Sequence, residues 1–311
     1  MASRTTVLAG GIGAARFLEG LVRVVAADSV TVIGNTADDL ELHGLTVCPD
    51  LDTVTYTLAG LADPERGWGL ANESFHALDA LRRFSKKTWF QLGDRDLATH
   101  IFRTSLLRQG FTLSEATGRV SRALGVESTI LPMSDHPVRT WLETDAGRLD
   151  FQTYFVKNGA KPVVRAVEFV GADQAAPASG VLEAIAQADA VIVAPSNPII
   201  SVGPIFTVPG IREALRKTAA PVLAVSPIVG GRAVKGPAAA MMTSLGHDAS
   251  ALAVAGLYKD FLDVFVLDEA DRESSVAVEE LGMRAVVCPT LMTGMPEKEA
   301  LARTVMEALA S

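Results

Sequence analysis

"TTVLAGGIGAARFLEGL", residues 5–21, decides the fold. A short apolar, β-branched run passes through Gly10, Gly11 and Gly13 straight into an apolar pattern of helical period. A strand that turns through glycine directly into a helix is the opening unit of a parallel α/β sheet. Runs of the same kind follow: "VTVI" at 30–33, "AVIVA" at 190–194, "PVLAVS" at 221–226 and "DVFVL" at 263–267. Continuous apolar runs of this length, alternating with helical patterns, are strands covered on both faces. The expected fold is α/β, a doubly wound, mostly parallel Rossmann-like sheet in a single domain over 1–311.

Between the second and third of these runs the pattern changes. Residues 73–125 read as mostly helical, and "TLSE" at 112–115 fits a capping box that opens a helix. "VRTWLE" (138–143) and "RLDFQTYFV" (148–156) then read as a hairpin across the turn "TDAG" (144–147). Together they predict an insertion, helices followed by a β-hairpin, over roughly 65–165.

The 311 residues, 49% hydrophobic, suffice for a large core. With 36 acidic against 28 basic residues the net charge is −8, which disfavours a nucleic-acid partner, because phosphate backbones are bound by clustered Lys and Arg. No apolar run approaches the ~18 residues that span a bilayer, and no signal-peptide pattern precedes Thr5, so a cytoplasmic protein without a membrane partner is expected. Cys48 and Cys288 stand far apart with no CxxC, which suggests neither a disulfide framework nor a zinc site.

The glycine turn is suited to an anion, since backbone N–H groups there approach phosphate oxygens at a helix N-terminus. It lacks GK[ST], and Arg16 stands where a GxGxxG fingerprint needs its third glycine, which disfavours P-loop enzymes and dehydrogenases. "GNTADD" places Asn35, Thr36, Asp38 and Asp39 just after the second strand. "CPDLDTV" follows with Asp50 and Asp52 where a helix can start. Singly these carboxylates suit a solvated turn or an N-cap; together they suit Mg²⁺, which takes one or two carboxylates plus substrate phosphates. Asp50, Asp38 and Asp39 are therefore the candidate metal ligands.

In "LGDRDLATH" (92–100) Asp94 can cap the following helix, while Arg95 and Asp96 form either a solvent-facing ion pair or, for Arg95, a phosphate- or substrate-orienting fork. "APSNPIISVGPI" (194–205) holds Ser196, Asn197 and Pro198 in a rigid polar loop after a buried-type strand. "SPIVGGRAVKGP" (226–237) adds Gly230 and Lys235 in a second such loop. Trp68, Phe75, Trp89, Phe90 and Tyr56 are core candidates, of which one or two could line a flat substrate's pocket.

Taken together, "LAGGIGAARFLEGL", "GNTADDLELHGLTVCPDLDTVTYTLAG", "RGWGLANESF", "LGDRDLATH", "LPMSDHPVRT", "APSNPIISVGPI", "SPIVGG" and "YKDFLDVFVLDEAD" resemble the 2-phospho-L-lactate transferase family of coenzyme F-420 biosynthesis. The resemblance implies transfer of a phospholactyl or phosphoenolpyruvyl group from a guanylyl diphosphate (GDP-activated) donor to the deazaflavin alcohol Fo, with release of GMP, dependence on Mg²⁺ and a homodimer. By motif it makes Asp52 and Arg95 contacts to Fo, and it puts Gly10, Gly11, Gly13, Asn35, Thr36, Ser196, Asn197 and Pro198 around the nucleotide, where Gly230 and Lys235 are also expected. Asp50, Asp52 and Arg95 are the expected catalytic set. The alternative is a non-catalytic nucleotide-sugar-binding regulator of the gluconeogenesis-factor type, against which "LGDRD" and "PDLDT" argue.

Overall fold

Thr5–Ala9 (β1), Val30–Gly34 (β2), Thr129–Pro132 (β3), Ala190–Val193 (β4), Val222–Val225 (β5), Val264–Leu267 (β6) and Arg284–Val287 (β7) form one sheet in the computed structural model. The structure describes residues 4–310; Met1–Ser3 and Ser311, the ends of the expected 1–311 domain, lie outside the described residues. Every neighbouring pair is parallel, in the order β7-β6-β5-β4-β1-β2-β3. The chain winds outward from β1 in one direction through β2 and β3, then returns to β4 on the other flank. Such a sheet opens a crevice at the carboxyl ends of β1 and β4, where the winding direction reverses.

Alternation along the strands builds two apolar layers. Val7, Ala9, Val30 and Val32 face one side, where Gly11–Val24 (α1), Pro49–Leu58 (α2) and the C-terminal helix Met295–Ala310 cover them. Leu8, Ile33, Val191 and Val193 face the other, under the helices Val181–Ala186, Ile211–Lys217 and Ala251–Tyr258. Each fully buried Leu, Ile or Phe here contributes about 1.5–3 kcal/mol. Among the described residues no helix is long and apolar enough to cross a membrane.

The stretch expected as one insertion over 65–165 is divided, because β3 pairs with β2 inside it. Its first part holds the helices Asp96–Arg108 (α3) and Leu113–Ala123 (α4). The predicted capping box is present: Glu115 N–H donates to Thr112 Oγ1 at 3.2 Å and Thr112 N–H to Glu115 Oε2 at 2.8 Å. Its second part is a three-stranded antiparallel sheet, with Arg139–Thr144 between Gly147–Asp150 and Val164–Val170. The expected hairpin arm over 148–156 stops at Asp150. Its carboxylate accepts from the Thr153 amide at 2.9 Å and the Thr153 hydroxyl at 2.6 Å, which starts a π-helical turn at Thr153–Lys157 instead.

Candidate active site

The crevice at the β1/β4 switch is closed by backbone contact. A Cβ on Gly13 would sit 2.2 Å from the Pro195 carbonyl oxygen, so only glycine lets α1 start against the loop after β4. A Cβ on Gly10 would lie 2.7 Å from the Ser201 carbonyl oxygen and 2.9 Å from Asp50 Oδ2. The loops after β1 and β4 and the first turn of α2 therefore converge on one point.

Asn35 fastens that point. The Asn35 amide N–H donates to the Ala9 carbonyl at 3.0 Å, continuing the β1–β2 ladder past the strand ends. Its side-chain Nδ2 donates to Asp50 Oδ2 at 2.9 Å and to the Ile200 carbonyl at 3.4 Å, while Oδ1 accepts from the Ala37 amide at 2.9 Å. Asp50 is the second residue of α2, after Pro49; the N-cap position belongs to Cys48, which makes no side-chain cap. The helix start is set by Pro49 at its first turn, and Asp50 is free to face the glycine turn.

Asp38, Asp39 and Asp50 are 4%, 6% and 8% exposed. Burial, and then the Asp50 charge, push the Asp38 carboxyl well above its ordinary range, against a hydrogen bond from Thr140 Oγ1 at 3.2 Å. Burial raises Asp50 to about 6, with the Asn35 amide and the Gly11 N–H pulling the other way. Burial lifts Asp39 to about 7 despite the nearby charges of Arg139 and Arg103. Three carboxylates withdrawn from water without a cation to offset Asp38 and Asp50 form an electrostatic deficit. In the loops after β2 and β4, Thr36 Oγ1, Asp39 Oδ1, Ser196 Oγ and Asn197 Nδ2 are buried without a hydrogen-bond partner.

Among the described residues no three acidic, imidazole or thiol groups gather into a complete metal cage. Mg²⁺ does not need one, because it keeps waters and substrate phosphates in its shell. A buried, hydrogen-bonded carboxylate with an unneutralised carboxylate beside it fits that ion.

Asp52 does not share Asp50's surroundings. Arg103 Nη1 donates to Asp52 Oδ2 at 3.0 Å, and Arg103 Nη2 also donates to Asp52 Oδ1, giving a buried bidentate pair. Arg95 is exposed and donates from Nη1 to the Ala71 carbonyl at 2.8 Å. Gly230 is exposed too, its N–H donating to Asp271 Oδ2 at 3.0 Å, away from the glycine turn. Lys235 reaches over the turn instead: its Nζ donates to the Arg66 carbonyl at 2.9 Å, beside Gly67, which packs on Ile12 of α1. Arg66 in turn lies over the rings of Trp68 and Phe75.

The expected cap by Asp94 is on a different helix. Its carboxylate accepts from the His76 and Ala77 amides and the Ser74 hydroxyl, at 2.9, 2.9 and 2.7 Å, and so opens the short helix His76–Leu81. The first amides of α3 are met by Glu73, which accepts from Arg95 at 2.9 Å and Asp96 at 3.0 Å. Asp96 is buried rather than solvent-facing, because Tyr56 donates to its Oδ1 at 2.6 Å.

Sequence reasoning missed Arg103 and His100. Arg103 and His100 carried a signal: Asp96, His100 and Arg103 fall at helical i, i+4, i+7 spacing, a polar stripe on one face of α3.

The sequence profile of the family described as 2-phospho-L-lactate transferase CofD matches residues 5–290. A 2-phospho-L-lactate transferase of Methanosarcina mazei is 41% identical over 302 residues, covering 97% of this chain and 99% of its own. A phosphoenolpyruvate transferase of Streptomyces griseus is 45% identical over 310 residues, covering 98% of each chain. A crystal structure of a UPF0052-family protein from Bacillus halodurans superposes with a TM-score of 0.64 at 16% identity, covering 98% of this chain and 99% of that one, which shows a shared fold. With the profile spanning all seven sheet strands and the glycine, Asn35, Asp50 and Ser196–Pro198 segments lying inside it, the chain belongs to the 2-phospho-L-lactate transferase family.

Proposed function

We propose that this protein transfers a phospholactyl or phosphoenolpyruvyl group from a GDP-activated donor to a hydroxyl of the deazaflavin Fo, releasing GMP, in coenzyme F-420 biosynthesis. The observation that carries the reading is the Asn35–Asp50 contact at the switch point: a buried carboxylate, unneutralised, against a glycine turn of this family.

The new oxygen–phosphorus bond forms to the Fo hydroxyl as the phosphorus–oxygen bond to GMP breaks, and the hydroxyl proton passes to water. Positioning and charge neutralisation carry most of the barrier lowering in such a transfer. Gly10, Gly11 and Gly13 bring backbone amides and the start of α1 to the diphosphate. Thr36 Oγ1, Ser196 Oγ and Asn197 Nδ2 are buried without a protein partner and can donate to it, and Pro198 stiffens the loop of the latter two. Lys235 adds positive charge from above the turn. Asp50, with Asp38 or Asp39, would hold Mg²⁺, which neutralises diphosphate oxygens when bound. Asp52, both of whose oxygens accept from Arg103, is left to orient the acceptor hydroxyl, and Arg95 offers an exposed planar fork to the acceptor. The enzyme works in the cytoplasm as a homodimer, and its net charge of −8 suits no nucleic-acid partner.

Mass spectrometry of the product made from Fo, Mg²⁺ and each guanylyl donor tests this. A lactyl product exceeds an enolpyruvyl one by two hydrogens, so the donor is read directly. No product from either donor would sink the assignment.

A further inference from the structure

A continuous polar seam is buried between α2 and α3. Tyr56 donates its hydroxyl to Asp96 Oδ1 at 2.6 Å, and His100 Nε2 lies 3.1 Å from Asp96 Oδ2. His100 Nδ1 lies 3.4 Å from Arg103 Nη1, and Arg103 grips both oxygens of Asp52. Asp52 and Tyr56 are one helical turn apart on α2; Asp96, His100 and Arg103 share one face of α3. The guanidinium N–H facing Nδ1 suits the Nε2–H imidazole tautomer; Nε2 then lies 3.1 Å from the Asp96 carboxylate as a close polar contact without an aligned hydrogen bond.

We propose that Arg103 is a positioning residue for the acceptor, holding the Asp52 carboxylate in one orientation, with His100, Asp96 and Tyr56 fixing the guanidinium in its turn. The assignment rests on the reading of Asp52 as an acceptor contact. One observation separates it from a merely structural ion pair, of a kind that apolar side chains can often replace without loss of stability. Arg103 Nε is buried with no partner, a donor left free beside the carboxylate it clamps. The flanking acidic group is Asp52 itself, two residues from the proposed Mg²⁺ ligand Asp50, so one short helix carries both the donor-side and the acceptor-side carboxylate.

Steady-state kinetics of Arg103→Lys tests the assignment, since lysine keeps the charge and loses the fork. The expected result is a rise in KM for Fo of about tenfold or more, as for loss of one charge-assisted hydrogen bond, with KM for the guanylyl donor within about twofold of wild type. Unchanged kinetics, or both KM values rising in parallel, would overturn it. Should Arg103→Lys not yield folded protein, His100→Gln carries the same comparison: a rise of at least about threefold in the Fo KM alone supports the seam, and an unchanged or parallel effect overturns it. Asp52→Asn separates the two readings. An unchanged Fo KM in Asp52→Asn removes Asp52 from the acceptor site, whereas a raised value there with a wild-type Arg103→Lys removes only the role of Arg103.

Discussion

Asn35 Nδ2 donates to Asp50 Oδ2 at 2.9 Å while the same nitrogen reaches the Ile200 carbonyl at 3.4 Å. One side chain thereby joins the loop after β2, the loop after β4 and the start of α2.

Asn35→Ala leaves the Asp50 oxygen buried without its donor. We expect a loss of about 1–3 kcal/mol, the ordinary penalty for an unsatisfied buried polar group, measured by urea unfolding. A change below about 0.5 kcal/mol would show that the contact does not hold the loops together.

The raised carboxylates give the ligand-free protein a pH signature. Folded Asp50 and Asp39 titrate at about 6 and about 7, above the ordinary value of 3.8. The folded state therefore binds more protons than the unfolded one between these limits. The stability contributed by the protonated forms is complete below pH 3.8 and is lost as pH rises through about 6 to 7. Asp39→Asn should flatten that decline in thermal melts across the window. Mg²⁺ should raise the melting temperature near about pH 7.5 and much less near about pH 5, because ligands must be deprotonated to bind. An equal shift at both, or a full shift in Asp50→Asn, would remove these carboxylates from the proposed metal site.

Asp52→Asn strands the Arg103 charge in the interior. It should cost about 3–5 kcal/mol, and Asp52→Leu combined with Arg103→Met should recover most of that loss in the same denaturation assay. If the double variant is as unstable as the single one, the pair is held by something other than its charges.

Gly13→Ala drives a Cβ to 2.2 Å from the Pro195 carbonyl oxygen, a backbone atom with no rotamer to yield. The expected outcome is soluble protein with a large drop in melting temperature and no detectable GMP release. Wild-type melting would mean the turn has room that its geometry denies.

The sheet was legible because its strands are unbroken apolar runs of β-branched residues punctuated by glycine and proline, as in residues 5–21 and 221–226. β3 and β7 were not: "TILP" ends in proline, "RAVV" is opened by Arg284, and each is a four-residue strand that pairs on only one side, as an edge of the sheet. Asp38, Asp39, Asp50 and Asn35 were legible as a group from their position after β2. The division of labour between Asp50 and Asp52 was not, because it depends on α3 arriving from 44 positions further along to present Arg103, with Asp96 as its first residue. Asp94 was assigned to the wrong helix for the same reason: Glu73, from a distant loop, had already met the amides it was expected to cap.

β1 lies between β2, its immediate successor in the chain, and β4, whose Ala190 stands opposite Thr5. During synthesis the strand that bears the glycine turn must wait, with one edge unpaired, until more than half of the polypeptide has left the ribosome. Contacts so distant in sequence close slowly. The switch-point site is therefore incomplete on any N-terminal fragment that ends before β4, and truncation products of this protein should be inert and prone to edge-to-edge association rather than partially active.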